Sequence, residues 1–348
     1  MKRLGNLFEQ ICAWDNLELA AKKARRGKRY RLYAENFELR RETILRHIRA
    51  ELLAGTWQPR PYRTFTIHDP KERLICAPCY RDRIVHHALC NVIAPLLERT
   101  LVHHSYSCRV GKGTGAARDA CQRWVRRYHY VLKLDVSKYF PSIDHALLKE
   151  KIRRLFKCQP TLDVVDRIID SWQEATPQWL RGDELLTPTQ RPRGVPIGSL
   201  TSQLFANLFL SRIDHMIQEQ LRPSGYARYT DDLLLFSDSK ADLRAARERL
   251  MRELEAERLR PHPTKCRIHQ CREGVPFLGF RYWPDRVRVL RENRFRFERR
   301  MHRIKRGIQR SRTPVATVWP AMFGWFQFVR NYPVNEGLVQ AECARHRF

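Results

Sequence analysis

The thirteen residues GYARYTDDLLLFS, 225 to 237, constrain the fold of this chain more than any other stretch. A Tyr-rich segment, two adjacent carboxylates and a run of four apolar residues read as strand, turn and strand, with Asp231 and Asp232 at the turn. Adjacent carboxylates repel each other, and burying them is unfavourable unless something positive compensates. A solvent-exposed turn meets that condition, because Asp favours turns. A site that brings cations to the carboxylates meets it too.

A second strand ends in the same chemistry. In YHYVLKLDVSKYF (128–140), Val131, Lys133 and Asp135 alternate with Leu132, Leu134 and Val136, and Asp135 falls near the strand end, before a Pro-containing turn. If the two strands are neighbours in one sheet, Asp135, Asp231 and Asp232 converge. Two divalent cations would then offset three negative charges and leave the site ready for a triphosphate. Mg²⁺ suits this role, because it takes oxygen ligands and keeps positions for substrate phosphates, and Mn²⁺ is a substitute of similar preference. A metal pair about 4 Å apart can activate an attacking hydroxyl and stabilise the leaving oxygen of an in-line displacement.

The charge balance names the class of partner. Lys and Arg total 66 against 37 acidic residues, a formal net charge of +29, which favours nucleic acid first and an anionic membrane surface a distant second. The excess is spread along the chain, in KKARRGKRYR (22–31), RWVRRYHY (123–130) and RENRFRFERRMHRIKRGIQRSR (291–312). No apolar run of about 18 residues exists, so no membrane span is expected. Asn6, Glu9 and Gln10 interrupt any signal-like apolar region at the start, and the expected location is the cytoplasm. Ten cysteines are scattered; CAPC (Cys76, Cys79) with Cys266 and Cys271 lacks the spacing of a four-ligand zinc site, so the thiols are read as reduced. GKGTG (111–115) lacks the Lys-Ser/Thr ending of a phosphate-binding P-loop.

Along the chain, the first sixty residues read as helical, with apolar spacing near 3.6 over 36–55 and a stop at Gly55. Residues 62–78 read as two strands joined by an Asp-Pro turn, and 81–101 as a helix. Asp144 caps a helix beginning HALLKEKIRRLF. RGVPIGSLTSQ (193–203) is a loop entering a helix; a charged helix spans about 240–259; PFLGFRYW (276–283) is a strand or hairpin. A basic helix from about 291 and an aromatic helical segment, WPAMFGWFQFVRNY, follow.

Five motifs in this order resemble those of reverse transcriptases, over roughly residues 60–285. KLDVSKYFPSID is similar to the first catalytic motif of the palm and YTDD to the second. PTKC (263–266) resembles the motif that supplies a Lys near the triphosphate, FLGF (277–280) the primer grip, and HDPKERLICAPCYRDRIVHHAL (68–89) the finger motifs. The resemblance implies an α+β fold, a right-hand polymerase with fingers, a palm built on an antiparallel sheet, and a helical thumb. It assigns 1–130 to an N-terminal helical region and fingers, 131–290 to the palm with an inserted fingers segment at about 146–195, and 291–348 to the thumb.

The same resemblance implies roles. Asp135, Asp231 and Asp232 bind the metals, and Lys265 lies near the β- and γ-phosphates, where it can protonate departing pyrophosphate. Phe140 matches the aromatic steric gate against a ribose 2′-OH. Lys71 and Arg73 match finger residues on the incoming nucleotide, beside Ile197, Gly198 and Gln203 of the loop. Phe277, Leu278 and Gly279 match the primer grip. Phe140 and Phe277 also fit an ordinary core, and Lys71, Arg73 and Lys265 an ordinary surface.

The loop narrows the resemblance. IGSLTSQ places Ile197 where most reverse transcriptases carry Gln and Gln203 where Pro is usual, a pattern similar to enzymes of diversity-generating retroelements. Those enzymes copy a template-repeat RNA, misincorporate opposite template adenines and work with a small basic accessory variability protein. Ile offers only apolar contact, which narrows the free-energy gap between right and wrong bases. Thr230, in a position that is often Ala, Val or Met, is read as suiting a strand edge. The partners implied are template RNA, the RNA–cDNA duplex, dNTPs and that accessory protein, with no membrane. The alternatives are a phage-defence or group II intron-like reverse transcriptase, and a non-catalytic basic RNA-binding protein, which would not need three site carboxylates.

Overall fold

In the computed structural model the residues described are 3–28, 30–68, 71–176, 180, 191–310 and 312–329. The expected turn at Asp69–Pro70, most of 177–190 in the expected fingers insertion, and the expected thumb beyond 329 lie outside them.

Four antiparallel strands form the central sheet: β3 (Tyr130–Asp135), β4 (Gly225–Tyr229), β5 (Asp232–Ser237) and β6 (Arg267–Gln270), in the order β4-β5-β3-β6. Ahead of it in the chain, β1 (Arg63–Ile67) and β2 (Arg73–Ala77) make a two-stranded ribbon, as the two-strand reading of 62–78 expected. After it, β7 (Val275–Phe277), β8 (Phe280–Tyr282) and β9 (Val287–Val289) form a small antiparallel sheet.

The alternation in β3 separates two cores. Leu132, Leu134 and Val136 belong, with Leu233 and Leu235, to the large core against helices Trp14–Arg25, Tyr80–Glu98 and Leu200–Phe209. Val131 faces the other way, with Leu234 and Phe236, into a smaller core shared with helix Gly113–Arg127 and the β7–β9 sheet. Side chains alternate across a strand, so Lys133 and Asp135 share the second face with Val131.

Several helix ends follow local chemistry. Asp144 caps Ala146's helix, His145–Leu155, by accepting from the Leu147 amide at 3.0 Å. Ser239 caps Lys240–Ala256 through the Asp242 amide at 3.1 Å. The helix expected over 36–55 is instead two, Leu32–Leu39 and Arg41–Leu53, broken at Arg40. The helix expected after residue 203 starts at Leu200 and continues as Ser211–Met216 and one π turn, Ile217–Leu221. Helix Arg291–Gln309 packs Phe297 and Met301 on Ala321, Trp325 and Val329 of helix Val318–Val329, with Phe297 and Trp325 stacked at 4.5 Å.

Candidate active site

The pairing of β3 with β5 sets the site. Asp135 lies opposite Asp232, and Tyr229 opposite Asp232 on the other side, so Thr230 and Asp231 form a two-residue turn between β4 and β5. The Val136 amide donates to the Asp231 carbonyl at 3.2 Å, which draws the turn against the end of β3. The three carboxylates expected to converge are therefore neighbours.

Their electrostatics show the repulsion. Burial, then the charge of Asp135, raises the Asp231 carboxyl from 3.8 to about 6. Burial also raises Asp232, against the opposing pull of Lys133. Lys133 Nζ lies 3.2 Å from Asp232 Oδ2 and donates to the Pro276 carbonyl at 2.7 Å. Asp232 Oδ1 is buried and has no hydrogen-bond partner among the described residues.

Lys265 reaches Asp135 because the segment before it docks beside β3. Ser137 donates its amide to the Arg260 carbonyl at 2.8 Å, and His262 its amide to the Asp135 carbonyl at 2.7 Å. From there Lys265 Nζ donates to Asp135 Oδ2 at 2.5 Å. In this arrangement, no three His, Cys, Asp or Glu side chains among the described residues form a ready chelate. The donor set nevertheless suits a hard divalent cation: it is all oxygen, it crowds like charges, and it leaves one buried carboxylate oxygen unpaired.

The remaining expected residues lie on other elements. Phe140, half-buried in the short helix Tyr139–Ser142, accepts through its carbonyl from the Val195 amide at 3.0 Å. Lys71 is exposed just before β2, and Arg73 is exposed at its start. Ile197 is half-buried, and its carbonyl accepts from the Cys76 amide of β2 at 2.7 Å, so the loop joins the ribbon. Gly198 sits at φ +117, and a Cβ there would stand 3.0 Å from Ile75 Cγ2 and 3.2 Å from the Cys76 carbonyl oxygen, which explains the glycine. Gln203 is exposed on helix Leu200–Phe209.

At the expected grip, Phe277 is 1% exposed and packs in the second core. The tight β7–β8 turn is made by Leu278 and Gly279, both at positive φ, and it is the part of FLGF that reaches the surface. Arg118 donates to the Leu278 carbonyl at 3.0 Å and Asn293 to the Gly279 carbonyl at 2.9 Å, tying this turn to the helices on either side.

One expectation is corrected. Thr230 is not a strand-edge residue: it is the first turn position, at φ +58, where a β-branched side chain is strained. Sequence reasoning also missed the supports beneath the site. Arg228 pairs with Asp214, and His86 Nδ1 lies 2.9 Å from the Ser199 hydroxyl, next to the Gly198 turn. Burial lowers His86 from 6.5 to about 3, so it is neutral. A buried-type apolar spacing around these polar residues was the available signal, but nothing in the sequence named their partners.

Comparison with known proteins agrees with the motif order. The family described as "Reverse transcriptase (RNA-dependent DNA polymerase)" matches residues 67–282. Protein YkfC of Escherichia coli is 26% identical over 284 residues, which cover 70% of this chain and 72% of that protein. Retron Mx65 reverse transcriptase of Myxococcus xanthus is 27% identical over 217 residues, 61% of this chain and 48% of the relative. A putative COX1/OXI3 intron 1 protein of Saccharomyces cerevisiae is 21% identical over 173 residues, 49% of this chain and 20% of the relative. Among solved structures, telomerase from Candida albicans superposes with a TM-score of 0.47 at 15% identity, over 68% of this chain and 46% of that one. No helix among the described residues is long and apolar enough to cross a membrane. With the family matched from the β1–β2 ribbon to β8, across both carboxylate strands, the chain belongs to the reverse transcriptases and is, by that membership, an RNA-directed DNA polymerase.

Proposed function

We propose that the chain copies a template-repeat RNA into cDNA with misincorporation at template adenines, as an enzyme that diversifies a target gene. The observation that carries the polymerase centre is the register that sets Asp135 opposite Asp232 with Asp231 at the adjoining turn. These three carboxylates would hold two Mg²⁺ ions, which supply the activation of the primer 3′-hydroxyl and the stabilisation of the leaving pyrophosphate. Lys265, which donates to Asp135 at 2.5 Å, would carry a proton to that leaving group. Lys71 and Arg73, exposed just before β2 and at its start, bind the triphosphate, with Arg offering a two-pronged contact. Phe140 limits the space for a 2′-OH, and the Leu278–Gly279 turn supports the primer end. Residues 1–130 supply the N-terminal region and fingers, 131–290 the palm, and 291–348 the thumb, whose basic helix tracks the duplex backbone.

The subtype rests on the loop. Ile197 presents an apolar side chain beside the ribbon and fixes its backbone through Cys76, so this part of the pocket offers the base pair shape without a side-chain hydrogen bond. The accessory partner, a small basic protein that helps engage the RNA, belongs to this reading. The second reading is a retron- or intron-type enzyme, which the retron and intron relatives favour. Sequencing cDNA made by the purified protein with Mg²⁺ on a defined RNA decides between them. Errors concentrated opposite adenine, reduced in Ile197→Gln, support diversification. Uniform errors at low frequency, with and without an accessory protein from the same locus, support the second reading.

A further inference from the structure

A buried guanidinium holds the carboxylate turn from beneath. Arg228 and Asp214 are both 0% exposed. Arg228 Nε donates to Asp214 Oδ1 at 2.7 Å and Nη2 to Oδ2 at 2.6 Å, and the Tyr226 hydroxyl donates to the same Oδ1 at 2.6 Å. The other donors reach out of the pair, Nη2 to the Asn207 carbonyl at 3.2 Å and Nη1 to the Thr230 carbonyl at 3.0 Å.

Stability alone is a weak reason for such a pair. Removing two charges from water offsets much of their attraction, and apolar residues of similar volume hold a sheet as well. What the pair adds is a fixed donor aimed at one carbonyl. That carbonyl belongs to Thr230, whose φ of +58 persists only if its surroundings over-determine it. A second tether acts on the same residue, since the Thr230 hydroxyl donates to Ser107 Oγ at 2.7 Å. Ser107 is itself fixed, its carbonyl accepting from Asn207 Nδ2 at 2.7 Å. Asn207 thus joins both tethers. The residue so held directly precedes Asp231 and Asp232.

We propose that Arg228, clamped by Asp214, is a positioning residue for DNA synthesis: with Ser107 it locks Thr230 in its strained turn and so aims the Asp231 and Asp232 carboxylates. This rests on the reading of those carboxylates as the polymerase centre. The lock acts through backbone geometry, so its loss lowers the chemical step while leaving substrate binding in place.

The test is single-turnover extension of a DNA primer on an RNA template, with full-length protein. Arg228→Lys keeps a cation for Asp214 but cannot reach both its oxygens and the Thr230 carbonyl together. It lowers kcat by about 10²-fold, the scale of a misplacement of about 1 Å, while dNTP KM and template–primer Kd stay within about threefold. Adding Thr230→Gly, which accepts positive φ without strain, restores about tenfold of that loss. Ser107→Ala is the second variant, needed if the lysine protein fails to melt cooperatively. It lowers kcat several-fold in the wild type and has no effect once Thr230 is Gly. The proposal is overturned if Thr230→Gly gives no recovery to Arg228→Lys, if KM and Kd rise as much as kcat falls, or if Ser107→Ala leaves kcat unchanged. Asp231→Asn is the control. A dead control with a failed rescue removes the lock alone, whereas an active control removes the site reading and the lock with it.

Discussion

Replacing Asp231 with Asn removes the charge that the metal-free site tolerates least. Its carboxyl is raised from 3.8 to about 6 by burial and by the charge of Asp135. The sign follows from linkage. Below about 4 the group is protonated in both folded and unfolded chains and has no effect; as pH rises towards 6 the unfolded chain ionises first and stability is lost. Above 6 the loss is complete, about 3 kcal/mol from the two values, and about 2 kcal/mol after solvent screening of a half-buried group. Asp231→Asn is therefore more stable than the wild type by about 2 kcal/mol at pH 7.5 in chelator, and no more stable near pH 4. Urea unfolding at both pH values reads this directly. Millimolar Mn²⁺ then stabilises the wild type and not the variant, since ligands that bind only the folded state add stability. Equal stability at pH 7.5, or a gain that is the same at pH 4, would refute the argument that crowded carboxylates hold this turn at a disadvantage.

Three further outcomes are expected. His86, lowered to about 3, contributes stability above its unfolded value of 6.5 that is lost as pH falls, so the wild type loses about 2 kcal/mol between pH 7 and 5 that His86→Gln does not. Parallel losses in urea midpoints would contradict this. Gly198→Ala places a Cβ against Ile75 and the Cys76 carbonyl at φ +117, and lowers kcat/KM for dNTPs by about tenfold or more; an unchanged value means that the loop is not held as described. Phe140→Ala raises incorporation of ribonucleotides relative to deoxyribonucleotides by about tenfold or more in a competition assay, and unaltered selectivity would return Phe140 to an ordinary packing role.

Much of the fold was legible where period and chemistry agree. The alternation through Val131, Lys133 and Asp135, and the strand–turn–strand around Asp231, appear as β3, β4 and β5 in one sheet. The Asp144 cap and the two-stranded reading of 62–78 also hold. β6 was missed because RIHQ is a short edge strand of mostly polar residues, and β9 because three residues carry almost no period. The break at Arg40 interrupts a helical period that stays in phase, so hydrophobic spacing cannot show it. The three site carboxylates stood out because adjacent charges beside apolar runs need a reason. Their supports did not: Ser199 lies 113 residues from His86, Ser107 lies 123 from Thr230, and such pairs exist only once the sheet and helices have packed. Thr230 was misplaced because its β-branched side chain argues for a strand, while a local hydrogen bond from Arg228 and a tertiary one to Ser107 hold it in a turn.

The central claim is that Asp135, Asp231 and Asp232 together form the centre that makes DNA on RNA. The direct measurement is the single-turnover extension rate in Mg²⁺ for Asp135→Asn, Asp231→Asn and Asp232→Asn, each compared with the wild type on the same RNA template and DNA primer. The account predicts that each substitution lowers the rate by about 10³-fold or more while template–primer affinity is retained. A rate within tenfold of wild type for any one of the three would contradict it.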